Sequence, residues 1–245
     1  MHDIVQLLKS HRSIRKFRPK PVPQSLLEEL VGAGQAASTS SFIQACTLIQ
    51  VNDTGDREQL AEYAGGQVYV ISAPVFLVFC ADMQRHRLAC EMNGVEMLSG
   101  YTEQFITATV DCALFAQNMM VAAEAEGLGG VYIGGIRNRI EAVAELLQLP
   151  GLVYPVFGMC LGYPDQAPQV KPRLPLEVVL KQDRYDDRDD RSRIGGYDQL
   201  LEAYYASRLG NNKRMTWSRQ MAGMLEKEAR PHILPFLQSR GFLLK

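Results

Sequence analysis

Cations and hydroxyls gather at a few places in this chain. His11, Arg12, Arg15 and Lys16 lie within six residues of one another, with Ser13 among them. A phosphate carries nearly two negative charges and several strong acceptors, which Arg forks and hydroxyls match. In an extended segment Ser13 and Arg15 share one side while Arg12 and Ile14 face the other. Lys171 and Arg173 make a second, smaller patch, stiffened by Pro172 between them. A solvated basic surface would hold the same residue types, so each patch alone says only that a local anion site is available. Residues 38–41 read Ser-Thr-Ser-Ser, four hydroxyls in a row. They can donate to phosphate or ring carbonyls, or simply end a helix as a polar loop. No G-x-S-x-G and no Ser–His pairing accompanies them, so no nucleophile is assigned. Gln67 follows Gly65 and Gly66, and its amide pairs a donor with an acceptor, as the edge of a heterocycle requires.

Residues 127–135 read Gly-Leu-Gly-Gly-Val-Tyr-Ile-Gly-Gly. This is not G-x-G-x-x-G, because position 132 is Tyr. It also leaves a helix and enters a strand, the reverse of the dinucleotide fingerprint. No Lys-Ser/Thr follows Gly134, so it is not a phosphate loop of the Walker type. The glycines permit either close approach of backbone to a flat ligand or a helix end with tight packing at a strand edge.

The elements that must position these groups follow from periodicity. Ile4, Leu7 and Leu8 give a short helical face ending before His11. Pro19, Pro21 and Pro23 make an extended connector. Leu26, Leu27, Leu30 and Val31 predict a helix, and residues 47–51 a strand. Asp53 or Thr54 caps a short helix reaching Ala64. Residues 74–80 are a continuous β-type apolar run, expected as a central strand. Residues 102–126 are the strongest helix, with an expected core face of Phe105, Ile106, Thr109, Val110, Ala113, Leu114, Gln117, Met120, Val121 and Ala125. A short strand within 127–135 comes next. Asn138 with Glu141 resembles a capping box for a helix to Leu147. Residues 154–163 are another strand and 164–175 a proline-rich loop. Residues 181–193, dense in both charges, read as an exposed linker, and helices follow over 197–209, 217–228 and from Pro231 to Gly241. This predicts an α+β fold with one core over 1–180 and a linker plus helical arm over 181–245.

The chain has 245 residues, with 26 Lys plus Arg against 27 Asp plus Glu. At about 150 residues per domain this allows one large domain or two small ones. A net charge of −1 gives no support to a dedicated nucleic-acid binder. Five cysteines, odd in number and without C-x-x-C spacing, suggest a reducing compartment and neither a disulfide framework nor a zinc site. His86 and Cys90, at i and i+4, are two potential ligands, too few for a metal site. The N-terminus has no apolar core after a basic start, and the apolar run 68–81 is broken by Ser72 and Pro74. A cytoplasmic protein with no membrane and no nucleic-acid partner is expected.

Five segments in order carry a resemblance: His-Arg-Ser-Ile-Arg-Lys-Phe at 11–17, Ser-Thr-Ser-Ser-Phe at 38–42, Gly-Gly-Gln at 65–67, the glycine segment at 127–135, and Lys-Pro-Arg-Leu-Pro at 171–175. With Tyr204-Tyr205, Arg208, Thr216-Trp217-Ser218 and Arg230-Pro231-His232, the chain resembles the FMN-dependent, oxygen-insensitive NADPH nitroreductases and related NADPH:FMN oxidoreductases. The resemblance implies a homodimer with FMN at each subunit interface. It also implies a mainly antiparallel sheet between helices and a C-terminal extension embracing the partner. It assigns His11, Arg12, Ser13, Arg15, Lys171 and Arg173 to the FMN phosphate. Thr39, Ser40, Ser41 and Gln67 fall to the ribityl chain and ring, and Tyr132, Ile133, Gly134 and Gly135 to the strand beside the ring. Phe42, Arg208 and Arg230 are implied for NADPH or substrate, Arg208 at the NADPH phosphate. The implied reaction is ping-pong: hydride from NADPH through FMN to a nitroaromatic, quinone or free flavin, with no catalytic side chain. A dedicated flavin reductase feeding a luciferase or monooxygenase is the alternative. A nucleotide- or nucleic-acid-binding regulator without turnover is the remote one.

Overall fold

The computed structural model describes residues 3–207 and 215–245. Contacts divide the chain into two compact units, Met1–Pro168 with Arg230–Lys245, and Gln169–Ala229. The expected division after residue 180 is thus drawn elsewhere. Residues 169–180 group with the helical unit, and the last helix belongs to the first unit because Phe236, Leu237 and Phe242 are buried in its core.

The first unit contains α1 (Asp3–Lys9), α2 (Gln24–Gln35), β1 (Cys46–Gln50), α3 (Thr54–Tyr63), α4 (Tyr69–Ser72), β2 (Val75–Asp82), α5 (Gln84–Met92), α6 (Thr102–Ala125), β3 (Gly129–Ile133), α7 (Ile140–Leu146) and β4 (Val153–Gly162). The second contains α8 (Leu176–Val179), α9 (Asp190–Ala206) and α10 (Trp217–Leu225), and α11 (Ile233–Ser239) returns to the first. The strands form one antiparallel sheet in the order β1-β2-β4-β3. Every residue of β2 is buried, as expected of a central strand. β3 lies at an edge, which leaves its outer backbone open to a further extended segment. Asp53 caps α3 by accepting from the Asp56 amide at 2.9 Å.

Three expectations are corrected. The buried face of α6 is Thr107, Ala108, Asp111, Cys112, Ala116, Met119, Met120 and Ala123. Of the expected face only Met120 is among them, and Ile106, Val110 and Leu114 are 49%, 48% and 42% exposed. The helix is apolar nearly all round, so periodicity alone cannot choose the face. The small side chains at 108, 112 and 116 decide it by allowing close packing. This helix has the length and apolarity of a membrane span, yet eight of its residues are buried in the chain's own core.

Asn138 does not cap α7. The helix starts at Ile140 without a side-chain cap, and Asn138 Oδ1 instead accepts from Arg230 Nε at 2.9 Å. The charged segment 181–193 is only partly a linker, since α9 begins at Asp190. Lys181 Nζ reaches Asp190 Oδ1 at 2.5 Å, and Arg193 pairs with Asp189 at 3.3 Å. Acidic residues at a helix start and pairs at i, i+4 favour helix here.

Candidate functional site

The basic segment is an extra extended piece beside β3. Ile14 N donates to Gly130 O at 2.8 Å, and Gln166 Nε2 reaches Ser13 O at 3.4 Å. Phe17 bridges Pro164. A Cβ on Gly129 would stand 2.5 Å from Ile14 Cγ1, so this glycine serves the close approach of the two segments. Ile14 is buried, which fixes the alternation. Arg12 and Ile14 line a cavity of about 160 Å³ with Glu124, Gly129 and Gln166, while Ser13 and Arg15 do not line it. His11 Nδ1 is held by Glu124 Oε1 at 2.6 Å, leaving only its Nε2 for a ligand. Arg12 donates weakly to Pro168 O at 3.4 Å. Arg15 is exposed, and among the described residues it has no carboxylate partner.

At the far end of β3 the chain enters a 3-10 turn, Gly134–Arg139. A Cβ on Gly135 would lie 2.4 Å from Ala64 O and 2.5 Å from Gln67 Nε2. The turn and the Gln67 loop are therefore in direct contact. The Gln67 amide is clamped: Nε2 donates to Ala64 O at 2.9 Å, and Oε1 accepts from the Tyr69 hydroxyl at 2.8 Å. Arg57 ties the end of β1 to the end of α4, which follows Gln67. Its buried guanidinium donates to Val51 O at 2.7 Å and Ala73 O at 2.6 Å, and burial lowers its pKa. Beside the Gly134 turn, Arg230 bonds Asn138, and His232 Nε2 meets Arg137 O at 3.0 Å. Burial lowers the Arg137 pKa and the charge of Arg230 lowers it further. Arg230, Gly134, Gly135 and Gln67 thus share one locality. Ile133 is fully buried in the core, so a ligand can meet only its backbone. Tyr132 turns its hydroxyl to Gln117 Oε1 at 3.3 Å and its ring edge-on to Phe157, and burial raises its pKa.

The hydroxyl loop is a third, separate piece. Ser40–Phe42 form a short 3-10 turn whose N-terminal neighbour is Thr39. Thr39 Oγ1 is buried with no hydrogen-bond partner, at a cavity of about 30 Å³ also lined by Gln44, Arg85 and Asp111. Phe42 is 81% exposed. His86 is spent on this loop, with Nε2 bonded to Ile43 O at 2.6 Å. Among the described residues no hydrogen bond joins the loop to Gln67 or to the basic segment.

In the second unit, Lys171 Nζ lies 5.4 Å from the centre of the Tyr205 ring. The patch is held by tyrosines of α9: Tyr197 donates to Pro172 O at 2.8 Å and Tyr204 to Gln169 O at 3.3 Å. Burial raises the Tyr197 pKa, against the opposing pull of Lys171 and Arg173. Arg208 lies outside the described residues.

Sequence reasoning missed Tyr69, Arg57 and Asp111. Asp111 had a visible signal, as the only charge between Glu103 and Glu124 in an apolar helix. Tyr69 had little, since an i, i+2 neighbour of Gln67 is no motif. Because the Tyr69 hydroxyl fixes the Gln67 amide, Tyr69→Phe should weaken whatever Gln67 binds. One neutral hydrogen bond, about 0.5–1.5 kcal/mol, corresponds to a two- to twelvefold rise in Kd, measurable by ligand fluorescence; an unaltered Kd would show that the clamp is idle.

The model described as Nitroreductase family matches residues 8–163, and that described as Nitroreductase family, C-terminal domain, matches residues 171–245. The chain is 46% identical over 243 residues to an NADPH-flavin oxidoreductase of Vibrio harveyi, covering 98% of each. It is 44% identical over 242 residues to an oxygen-insensitive NADPH nitroreductase of Salmonella typhimurium, covering 99% of each. Its fold matches the solved structure of NADPH:FMN oxidoreductase from Vibrio harveyi complexed with NAD+. There the TM-score is 0.91 and the identity 43%, with all of both chains covered.

Proposed function

The chain belongs to the nitroreductase family, and from that premise we propose that it is an FMN-dependent oxidoreductase, taking hydride from NADPH and passing it to a nitroaromatic, quinone or free flavin. The observation that carries this is whole-length identity of 44–46% to relatives named for NADPH-dependent flavin and nitro reduction. FMN, when bound, supplies a ring that accepts and releases hydride.

The residues present fit such a group. Ser13 and Arg15 offer a hydroxyl and an exposed guanidinium on one side of the basic segment, and they hold the phosphate. Arg12 and the Nε2 of His11 reach it less directly, and the resemblance adds Lys171 and Arg173 as further phosphate cations. The buried, unpartnered Thr39 Oγ1 asks for a polar ligand atom, and the exposed Ser40 and Ser41 hydroxyls beside it are free to donate to one. The Gln67 amide, oriented by Tyr69 and Ala64, reads the edge of the ring. Backbone at Tyr132, Ile133, Gly134 and Gly135 lies alongside it. Phe42, Arg208 and Arg230 orient NADPH or the acceptor. The protein's part is to bind, orient and exclude water, and no side chain is assigned as proton donor or nucleophile.

The site is completed by a second copy of the chain. The hydroxyl loop makes no hydrogen bond to the other two pieces among the described residues, and Ile106, Val110 and Leu114 form an exposed apolar stripe at i, i+4 and i+8 on α6. Such a stripe, several large apolar residues on one face, fits a subunit interface. Of the expected arm over 181–245, residues 181–229 would reach the partner, because α11 is buried in the chain's own first unit. The working place is the cytoplasm, the partners small molecules.

Purified protein should be yellow, and NADPH should bleach it without air. Colourless protein that cannot be reconstituted with FMN would sink the reading. Because relatives carry both names, a flavin reductase is the second reading. Steady-state rates with free FMN against a nitrofuran separate the two. Arg208→Ala should raise the KM for NADPH at least tenfold more than for NADH, since a charged hydrogen bond is worth about 1.5–3 kcal/mol. Equal effects on both would count against a 2′-phosphate contact.

A further inference from the structure

A carboxylate in the middle of an apolar core helix needs a reason. Asp111 is 2% exposed. A buried carboxylate is costly unless hydrogen bonds satisfy it. Both of its oxygens are engaged by backbone of one loop: Oδ2 accepts from Ala45 N at 3.0 Å and Oδ1 from Ser40 N at 3.4 Å. These two amides bracket residues 40–45. Between them Ser41, Phe42 and Gln44 have φ of 48°, 59° and 52°. Three left-handed residues other than glycine within four positions are strained and persist only where their surroundings hold them. Two other side chains grip carbonyls of the same loop, His86 at Ile43 O and Arg85 Nη1 at Gln44 O, 3.3 Å. Among the described residues Asp111 is the only side chain that accepts from the loop's amides.

We infer that Asp111 is a positioning residue: its buried carboxylate holds residues 40–45 in their strained path, so that Ser40, Ser41 and Phe42 are presented ready-formed to the flavin and the acceptor. This rests on the reading of that loop as part of the site. Preorganisation of this kind spares the ligand the cost of ordering the loop. Asp111→Asn keeps the size but replaces one acceptor oxygen with an NH2 facing a backbone N–H, so one anchor is lost.

The test uses the holoenzyme, with amide hydrogen exchange as the first readout and KM for NADPH and a nitrofuran as the second. Asp111→Asn should quicken exchange over residues 39–46 tenfold or more and leave residues 75–82 protected. The KM for the nitrofuran should rise at least fivefold, with kcat changed less. Adding Gln44→Gly, which relieves a left-handed residue outside the proposed contacts, should restore part of both. Exchange that quickens equally over 75–82, or not at all over 39–46, overturns the positioning role. Failure of both variants to fold overturns it too, because a positioning residue is not needed to form the sheet. Ser41→Ala and Phe42→Ala report on the underlying reading. If neither shifts the nitrofuran KM or the FMN Kd, that reading of the loop fails, whatever Asp111→Asn does to exchange.

Discussion

Arg15→Ala should raise the Kd for FMN about 10- to 150-fold, the loss of one charged hydrogen bond worth about 1.5–3 kcal/mol. The size of the effect follows from what Arg15 lacks. It is exposed, on the side of the basic segment opposite Ile14, and no described carboxylate neutralises it. Its guanidinium therefore need not leave a partner to meet a phosphate. Arg12→Ala should cost less, because Arg12 shares the Ile14 side and already touches Pro168 O. Flavin fluorescence titration of the two apo-variants measures both. If Arg12→Ala proves the more damaging and Arg15→Ala is silent, the phosphate lies on the Ile14 side and the assignment is reversed. Raised salt should narrow the gap between wild type and Arg15→Ala, since the interaction is partly one of exposed charges.

Gly135→Ala is the second large effect, and it acts on stability and flavin binding together. The new methyl would stand 2.4 Å from Ala64 O and 2.5 Å from Gln67 Nε2, and these two atoms are already bonded to each other at 2.9 Å. The methyl is thus driven into an existing hydrogen bond. The carbonyl belongs to backbone that follows α3 and cannot withdraw alone, so the Gln67 amide must swing away. Overpacking of this kind costs about 1–3 kcal/mol, and a protein of this size loses roughly 2–4 °C of Tm per kcal/mol. The displaced amide should also raise the flavin Kd about 5- to 30-fold, one to two hydrogen bonds at about 1 kcal/mol each. Gly32→Ala is the control, in α2 where a Cβ would meet nothing within 4 Å. It should be neutral or slightly stabilising. Equal Tm and flavin Kd for Gly135→Ala and wild type would mean the turn is looser than the contacts require.

Much of the molecule was legible in advance because local rules and the tertiary fold agree. The all-apolar run at 74–80 reads as a buried central strand, and β2, Val75–Asp82, is one. Asp53 and Thr54 both read as possible caps, and it is Asp53 that accepts from Asp56 N. The alternation of Ser13 and Arg15 against Ile14 follows from extended geometry and is met at the edge of β3. The failures share one cause. In α6 several faces are apolar enough to be buried, and only the neighbours decide which one is. Asn138 has the right chemistry for a cap, but Arg230, 92 residues away, claims its oxygen. Residues 181–193 look like solvated linker until Lys181 and Asp190 are seen to pair.

What the sequence determined by itself is the inventory: the family, the cations and hydroxyls that suit a phosphate, the amide at Gln67, and the strands and helices that carry them. These depend on residue type and spacing, which are local quantities. The tertiary structure alone decided which groups meet. It set Gln67 against Gly135, gave His11 to Glu124, and buried Asp111 under the hydroxyl loop. Those contacts join residues 66 to 113 positions apart, and each is settled by which apolar surfaces pack, a choice no single stretch of chain contains.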